Sequence, residues 1–365
     1  MSISIPIPQS KYSTSLTPTL RVSRLEVQAP ASTRNMTRQL EPLGPVAAPV
    51  NGSSLAGMSP LCFGAGTFAP QYNEPALLRP TDVVRRALDL AVNCFDTSPY
   101  YGESEIILGD ALQNLSADYP RNTYYISTKC GREPTNEFDY TPSWIRKSVE
   151  RSLERLHTSY LDVVYVHDVE FKTEDEAVLA VKTLFELKQE GKILNVGFSG
   201  YPLPVLVSLA ERIVKEVGKP VDAIITYSNF NIANTVLLKY LAKLSPCVGQ
   251  IISASPFSMG LLSSREPPKW HPGSPALKAA VAKAAAFCDV ELREPLADLA
   301  TRFALEKWEG VTLVGCSTVD EVDSAVANWW KCQDKAQKEK DEVAFRRVRE
   351  VLGDQLDVCW PSGRG

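Results

Sequence analysis

Apolar and polar residues alternate in blocks along most of this chain. From residue 59 onward, each short apolar segment is followed by a longer segment with apolar residues at helical spacing. Several short segments are almost continuously apolar, such as LDVVYV at 161–166, which is typical of parallel strands covered by helices on both faces. We therefore predict eight parallel strands, at Leu61–Thr67, Cys94–Ser98, Thr123–Lys129, Leu161–His167, Ile193–Ser199, Asp222–Ser228, Gln250–Ser255 and Val311–Cys316.

The helical segments carry start and stop signals. Three of them begin at pairs that include a polar or acidic residue, namely Thr81-Asp82, Pro142-Ser143 and Glu174-Asp175. Such residues are favoured in the first turn, where backbone N–H groups have no partner within the helix. Gly191 follows the third segment, and glycine commonly ends a helix.

Eight strands, each followed by a helix, fit a closed barrel better than any other architecture. A doubly wound open sheet is the alternative, and its marker is a GxGxxG turn after the first strand. Gly64-Ala65-Gly66-Thr67 lacks the third glycine of that turn. We therefore predict an α/β fold of the (β/α)8 TIM-barrel type over residues 56–332.

The two ends of the chain differ from the predicted barrel. Residues 1–55 are rich in Ser, Thr and Pro, and their prolines would interrupt a helix, so we expect a disordered tail. Residues 333–365 should form a C-terminal helix and tail, with an exposed, charged helix over 333–352. The irregular segment Ser263–Ser274 should be a loop over the active face of the barrel.

Charge and cysteine usage narrow the class of partner and the compartment. The formal net charge is −4 and no basic block occurs, so we expect no nucleic-acid partner. No apolar run is long enough to span a membrane, and the eight cysteines are scattered without a CxxC pair, so we expect reduced thiols and no metal site. We predict a cytoplasmic enzyme; mitochondrial import by the basic N-terminal tail is an alternative.

Four residues with suitable chemistry follow three neighbouring predicted strands. Catalytic residues of such barrels lie at the carboxyl ends of the strands, where this chain has Asp96, Tyr101, Lys129 and His167. Each alone has an ordinary explanation: a turn cap, loop packing, a solvated lysine or a core histidine. Their coincidence at one end of the barrel favours catalysis.

Together these residues suit hydride transfer at a carbonyl or alcohol carbon, which also requires a proton to move. The ordinary pKa of tyrosine, about 10, is too high for a base at neutral pH. We expect the Lys129 ammonium to lower the pKa of Tyr101 and Asp96 to keep Lys129 charged. His167 would hydrogen-bond the substrate oxygen, and no metal is needed.

The run FDTSPYYGESE at 95–105, STK at 127–129 and the histidine at 167 resemble the aldo-keto reductase family over about residues 59–330. ERLHTSYLDVVYVHDVEF at 154–171, GFSGYP at 197–202 and ASPFSMGLL at 254–262 resemble its branch of fungal D-arabinose 1-dehydrogenases and plant L-galactose dehydrogenases. The resemblance implies the tetrad Asp96, Tyr101, Lys129 and His167. It also implies oxidation of an aldose at C1 to the lactone, in carbohydrate metabolism and erythroascorbate biosynthesis. D-arabinose is the first candidate, and L-galactose and L-fucose share its configuration at three carbons.

The resemblance also implies a nicotinamide cofactor. This chain departs from the family at Gly200, where an asparagine is usual, and at Ile224 and Ala254, where many members have glutamine and an aromatic residue. Ser255 to Leu262 should cover the pyrophosphate, and residues 315–318 should bind the adenosine end at a helix N-terminus. The implied cofactor residues are Thr67, Ser199, Gly200, Ser255, Pro256, Phe257, Ser258, Gly260, Leu262, Gly315, Ser317, Thr318 and Glu321.

Glu321 lies near the position where members that prefer NADP have arginine. A carboxylate repels a 2′-phosphate and accepts hydrogen bonds from a free 2′-hydroxyl, so we predict NAD, with NADP as the alternative. The acids here could instead serve only the helix dipole. We expect a small aldose substrate and a monomer or weak dimer. Two alternative functions are an aldehyde or ketone reductase and a non-catalytic subunit like the potassium-channel β subunits of the family.

Overall fold

Eight parallel strands form a closed barrel in chain order, and the first strand pairs with the last. The computed structural model describes residues 40–70, 73, 79–263 and 266–363. The predicted (β/α)8 barrel is therefore confirmed, with strand ends shifted by a few residues. The strands are β1 Leu61–Gly64, β2 Cys94–Asp96, β3 Tyr125–Cys130, β4 Leu161–Val166, β5 Ile193–Gly200, β6 Val221–Tyr227, β7 Val248–Ala254 and β8 Thr312–Gly315.

Helices surround this barrel, and several begin where the sequence signals predict. Thr173 and Glu176 form a reciprocal capping box at the start of the helix Glu174–Gln189, and Gly191 follows this helix with a positive φ of 76°. In the described part of the chain the helices are α1 Pro80–Asp89, α2 Ser104–Asn114, α3 Pro142–Arg155, α4 Glu174–Gln189, α5 Leu203–Val217, α6 Leu241–Leu244, α7 Pro275–Phe287, α8 Leu296–Lys307, α9 Val319–Lys331 and α10 Lys335–Leu352. None of these helices is long and apolar enough to cross a membrane.

Strand side chains alternate between two cores. One set fills the inside of the barrel and includes Tyr125, Val163, Tyr165 and Ile225. The other packs between the strands and the helices and forms the larger hydrophobic cluster. Because both faces of each strand are buried, the strands read as nearly continuous apolar runs in the sequence.

The segment before β1 closes the amino-terminal end of the barrel. Leu55 and Met58 are buried in the cluster that fills the barrel. Backbone oxygens of the same segment accept hydrogen bonds from Asn195 Nδ2, at 2.7 Å to Gly52, and from the Tyr125 hydroxyl, at 3.0 Å to Ser54. The predicted tail boundary at residue 55 is therefore wrong for residues 40–55, in which the apolar side chains that pack against the cores, such as Leu43, Val50 and Leu55, are interspersed with proline and polar residues. Residues 1–39 of that prediction lie outside the described residues.

The C-terminal helix α10 has a buried side as well as a charged one. Phe345, Val348 and Leu352 are buried. Asp341 is 1% exposed and accepts hydrogen bonds from Arg302, whose side chain is fully buried. The prediction of an exposed helix is therefore wrong for this face. The charged residues of the helix outnumber its apolar ones, so the sequence showed little sign of a buried side.

The chain then returns to the catalytic end of the barrel. The Trp360 ring stacks on the Tyr201 ring, with centroids 4.9 Å apart and an angle of 7° between the planes. The Ser362 hydroxyl donates to Glu170 Oε1 at 3.1 Å. Tyr201 and Glu170 follow β5 and β4, so the last residues form one wall at this end.

Candidate active site

The ends of β2 and β3 bring a lysine and an aspartate together inside the barrel. Lys129 Nζ lies 2.5 Å from Asp96 Oδ1 and donates to the Thr97 carbonyl at 2.9 Å. The Ser127 hydroxyl donates to Asp96 Oδ2 at 2.9 Å. Both charged side chains are almost fully buried, with exposed fractions of 3% for Lys129 and 2% for Asp96. Each charge is thus paired and hydrogen-bonded, as a buried ion pair must be.

Tyr101 and His167 complete this group. Tyr101 ends a short 3-10 turn after β2, and Lys129 Nζ lies 4.9 Å from its ring centroid. His167 directly follows β4, and its ring meets the Tyr101 ring edge-on at a centroid distance of 5.8 Å. The structure therefore brings all four residues of the predicted tetrad together at the carboxyl ends of three neighbouring strands.

Burial dominates the proton affinities of this group. Burial alone would lower the pKa of Lys129, but Asp96 and Tyr101 outweigh it and raise that pKa above its ordinary value. Burial, together with the positive charges of Lys129 and Arg132, holds the pKa of His167 well below its usual range. Lys129 is therefore charged and His167 neutral at physiological pH.

The pKa of Tyr101 differs from the sequence-based expectation. Burial raises it above the ordinary value, while the Lys129 ammonium pulls it down and Asp96 and Asp168 push it up. The expected net lowering is therefore wrong for this structure. The sequence indicates the lysine next to the tyrosine, but the cost of charging a phenol in a buried site depends on the surrounding packing.

Several polar residues around His167 were not among the predicted site residues. Arg132 forms an ion pair with Asp168, and its guanidinium carbon lies 3.7 Å from the Tyr100 ring centroid. Asp168 Oδ2 lies 3.5 Å from His167 Nε2. Glu170 is fully buried, and burial next to Asp168 raises its pKa to about 8. The only sequence signal for these residues is the acid-rich HDVE run at 167–170, directly after a strand.

The predicted cofactor residues on β5 and β8 lie on the same rim of the barrel. Ser199 Oγ accepts a hydrogen bond from the Asp168 backbone N–H at 3.3 Å. A side chain at Gly200 would meet Glu170 Oε2 at 2.5 Å, and one at Gly315 would meet the Thr67 methyl group at 2.7 Å. Thr67 Oγ1 donates to the Cys316 carbonyl at 2.7 Å, which ties the loop after β1 to the end of β8.

The loop after β7 is a series of tight turns. Ser255, Ser258 and Gly260 have positive φ angles of 59°, 49° and 90°. Backbone hydrogen bonds run from Ser258 N to Ser255 O at 2.8 Å and from Gly260 N to Phe257 O at 3.1 Å. Pro256 and Phe257 lie in the same turns, whereas the Leu262 side chain packs into the core between strands and helices. The described residues of Ser263–Ser274 have no helix or strand, as predicted.

Helix α9 begins at Val319 with Thr318 as its N-cap, at the predicted position. Glu321 reaches back from the first turn, and its Oε2 accepts from Ser317 N at 2.7 Å and from Ser317 Oγ at 2.8 Å. Asp320 is exposed. The protein's own carboxylate therefore already bonds donors that precede this helix.

Ser228, which was not among the predicted cofactor residues, adds a further polar group to this rim. Ser228 follows β6 with a φ of 59°, and its buried hydroxyl has no hydrogen-bond partner within the described part of the chain. Buried polar atoms are nearly always hydrogen-bonded in proteins, so such a group is suited to a bound molecule. Together with Ser199, the turns at 255–260 and the start of α9, this hydroxyl could line a site for a polar, phosphate-containing ligand such as a dinucleotide.

Comparison with known proteins agrees with this arrangement. The pattern of the Aldo/keto reductase family matches residues 60–343. D-arabinose 1-dehydrogenase of Saccharomyces cerevisiae is 41% identical over 86% of this chain and 96% of its own length, and L-galactose dehydrogenase of Arabidopsis thaliana is 36% identical over the same shares. The structure of an aldo-keto reductase from Bacillus halodurans, in its holo form, matches with a TM-score of 0.64 at 21% identity, over 86% of this chain and 98% of that one. This chain therefore belongs to the aldo/keto reductase family of nicotinamide-dependent oxidoreductases.

Proposed function

We propose that this enzyme oxidises an aldose at C1 to the aldonolactone, with NAD as the hydride acceptor. D-arabinose is the first candidate, and L-galactose and L-fucose are the next. The observation that carries the proposal is the contact of the buried residues Lys129, Asp96 and His167 with the partly exposed Tyr101, a group that can take a proton beside a hydride acceptor. The dehydrogenase activities named for the yeast and plant relatives support the choice of an aldose.

Each residue of the tetrad has a distinct task in this proposal. The Tyr101 oxygen takes the proton of the C1 hydroxyl after losing its own, and Lys129 stabilises the phenolate against the burial that raises its pKa. Asp96 keeps Lys129 charged and fixed in position. Neutral His167 hydrogen-bonds the same substrate oxygen. A nicotinamide bound on this rim would supply the hydride acceptor, and removal of the hydroxyl proton and of a hydride from C1 would give the carbonyl of the lactone.

The surroundings of His167 support a sugar rather than an apolar carbonyl compound. The Arg132–Asp168 pair offers donors and acceptors that match vicinal hydroxyl groups. Trp360, which stacks on Tyr201 and is partly exposed, offers an aromatic face for the apolar side of a sugar ring. The Nε atom of Arg132 is buried without a hydrogen-bond partner among the described residues, and a substrate without hydroxyl groups would leave it so, which lowers the reactivity of that substrate.

The preference for NAD is proposed from the contacts of Glu321. Its carboxylate already bonds the Ser317 N–H and hydroxyl, so a 2′-phosphate would have to displace it or lie next to it. Like charges at such a partly buried position repel each other. The free 2′-hydroxyl of NAD can instead donate to the carboxylate.

The test is a panel of aldoses with NAD and with NADP, following absorbance of the reduced cofactor. We expect turnover of D-arabinose, L-galactose or L-fucose with NAD, and little with their C2 epimers. Tyr101→Phe is the matched control, because it removes the acid–base hydroxyl and keeps the ring. Reduction of aldehydes or ketones without sugar oxidation would favour the reductase alternative, and cofactor binding without any turnover would favour a regulatory subunit.

A further inference from the structure

A serine hydroxyl contacts the nitrogen of His167 that faces away from Asp168. Ser98 follows β2 by two residues and is fully buried. Its Oγ lies 3.0 Å from His167 Nδ1 and accepts the Tyr100 backbone N–H at 3.1 Å. The proposed role of His167 requires a neutral imidazole ring, but the other residues of the tetrad do not determine which ring nitrogen has the proton.

Counting donors and acceptors at Ser98 decides this. A serine hydroxyl has one hydrogen to donate and two lone pairs, and Tyr100 uses one lone pair. Among the described hydrogen bonds of Ser98, Nδ1 is the acceptor available for the hydroxyl hydrogen. If Nδ1 were protonated, it would donate to Ser98 and leave that hydrogen without a partner in a fully buried site. The penalty for such an unmade hydrogen bond corresponds to a tautomer ratio on the order of ten- to a hundredfold.

The other side of the ring favours the same tautomer. Asp168 Oδ2 lies 3.5 Å from His167 Nε2, and a carboxylate next to a ring nitrogen stabilises an N–H there. Burial raises the pKa of Asp168, and the ion pair with Arg132 opposes that rise and favours the carboxylate. The charged groups that face the ring are thus Asp168 on the side of Nε2, with Lys129 and Arg132 opposing a second proton.

We propose that Ser98 is a positioning residue that fixes neutral His167 in the Nε2–H tautomer. The Nδ1 atom accepts from Ser98, so the proton is on Nε2. The 3.5 Å contact of Nε2 with Asp168 Oδ2 is too long for a hydrogen bond, so this N–H can donate to the substrate oxygen. The tautomer assignment follows from the hydrogen bonds alone, whereas its effect on turnover rests on the proposed function. The two parts can therefore fail separately.

The tautomer is measured directly by nitrogen-15 NMR of the full chain labelled at histidine. The sequence has three histidines, and His157→Gln and His271→Gln assign the remaining signals. We expect a protonated, pyrrole-like Nε2 and an unprotonated, hydrogen-bonded Nδ1 at His167 in the unaltered protein near pH 7. A protonated Nδ1 would overturn the proposal, whatever the substrate of the enzyme is.

Variants of Ser98 test its part in fixing the tautomer. Ser98→Ala should shift the Nδ1 signal and lower kcat about tenfold, with the KM values for sugar and NAD changed less than about threefold. Ser98→Thr keeps a hydroxyl and should restore the Nδ1 signal and most of kcat. A merely structural role would change the thermal midpoint without moving the histidine signals. Unchanged signals in Ser98→Ala would overturn the role of Ser98.

Discussion

Replacing Lys129 with methionine tests the electrostatic basis of the proposed chemistry. The substitution keeps the length of the buried side chain and removes its charge, which lies 4.9 Å from the centre of the Tyr101 ring. At an effective dielectric constant of about 20, a unit charge at that distance stabilises the phenolate by about 3 kcal/mol. This corresponds to a rise of about two units in the pKa of Tyr101.

The expected result is a loss of kcat/KM on the order of 10²-fold at pH 7. Because the phenolate is the base for oxidation and burial holds the pKa of Tyr101 above 10, the rates of both enzymes should rise with pH up to pH 10, with the variant on the order of 10²-fold lower throughout. The assay is the initial rate of sugar oxidation between pH 6 and pH 10 at saturating cofactor. The thermal midpoint and NAD binding show whether the uncompensated Asp96 carboxylate has disturbed the fold.

Two controls separate this effect from a general loss of charge. Lys147 lies 5.0 Å from the Trp144 ring on the exposed side of α3, so Lys147→Met removes a similar lysine–aromatic contact away from the site. In the Tyr101→Phe background, Lys129→Met should cost less than about threefold, because its action passes through the phenol. A decrease as large in that background as in the unaltered enzyme would refute the reasoning, as would activity within threefold at pH 7.

Three further outcomes follow from other contacts. Glu321→Arg should shift the ratio of kcat/KM for NAD to kcat/KM for NADP on the order of tenfold in favour of NADP at fixed ionic strength. Glu321→Gln is the control, because it keeps an acceptor for Ser317. An unaltered ratio in the arginine variant would mean that the carboxylate does not influence cofactor choice. Deletion of residues 1–39 should leave the thermal midpoint unchanged. Deletion of residues 1–55 should lower the midpoint by several degrees, because it removes Leu55 and the hydrogen bonds to Gly52 and Ser54. Equal midpoints of the two deletion variants would mean that these contacts do not stabilise the barrel. Burial beside Asp168 raises the pKa of Glu170 to about 8, so between pH 4.5, its ordinary pKa, and pH 8 the folded chain holds a proton that the unfolded chain loses. The free energy of unfolding should therefore fall by up to about 1.4 kcal/mol per pH unit as the pH rises through this range. Glu170→Gln should flatten this slope in urea unfolding, and parallel pH profiles of the two proteins would count against a raised pKa.

The barrel and the four residues of the tetrad could be predicted because they depend on local sequence. Strands buried on both faces need near-continuous apolar runs, as at 161–166, and the order of strands in such a barrel follows the order of the chain. Once that order is known, the residues that end β2, β3 and β4 must lie close together. Thr318 could be placed before α9 for the same reason, since capping depends on a few adjacent residues.

Other features depend on contacts between residues far apart in the chain. The segment at 40–58 packs against the barrel through backbone hydrogen bonds, which any residue type can make, and through a few apolar side chains between prolines and polar residues, so its composition resembles that of a tail. Trp360 and Ser362 reach Tyr201 and Glu170 across more than 150 intervening positions, and no local pattern encodes that return. The sequence by itself determined the order of elements and the kinds of chemical group at the strand ends. Tertiary packing alone decided how deeply each group is buried, and therefore whether Tyr101 and Glu170 hold their protons, because the cost of a charge depends on every neighbour that excludes water from it.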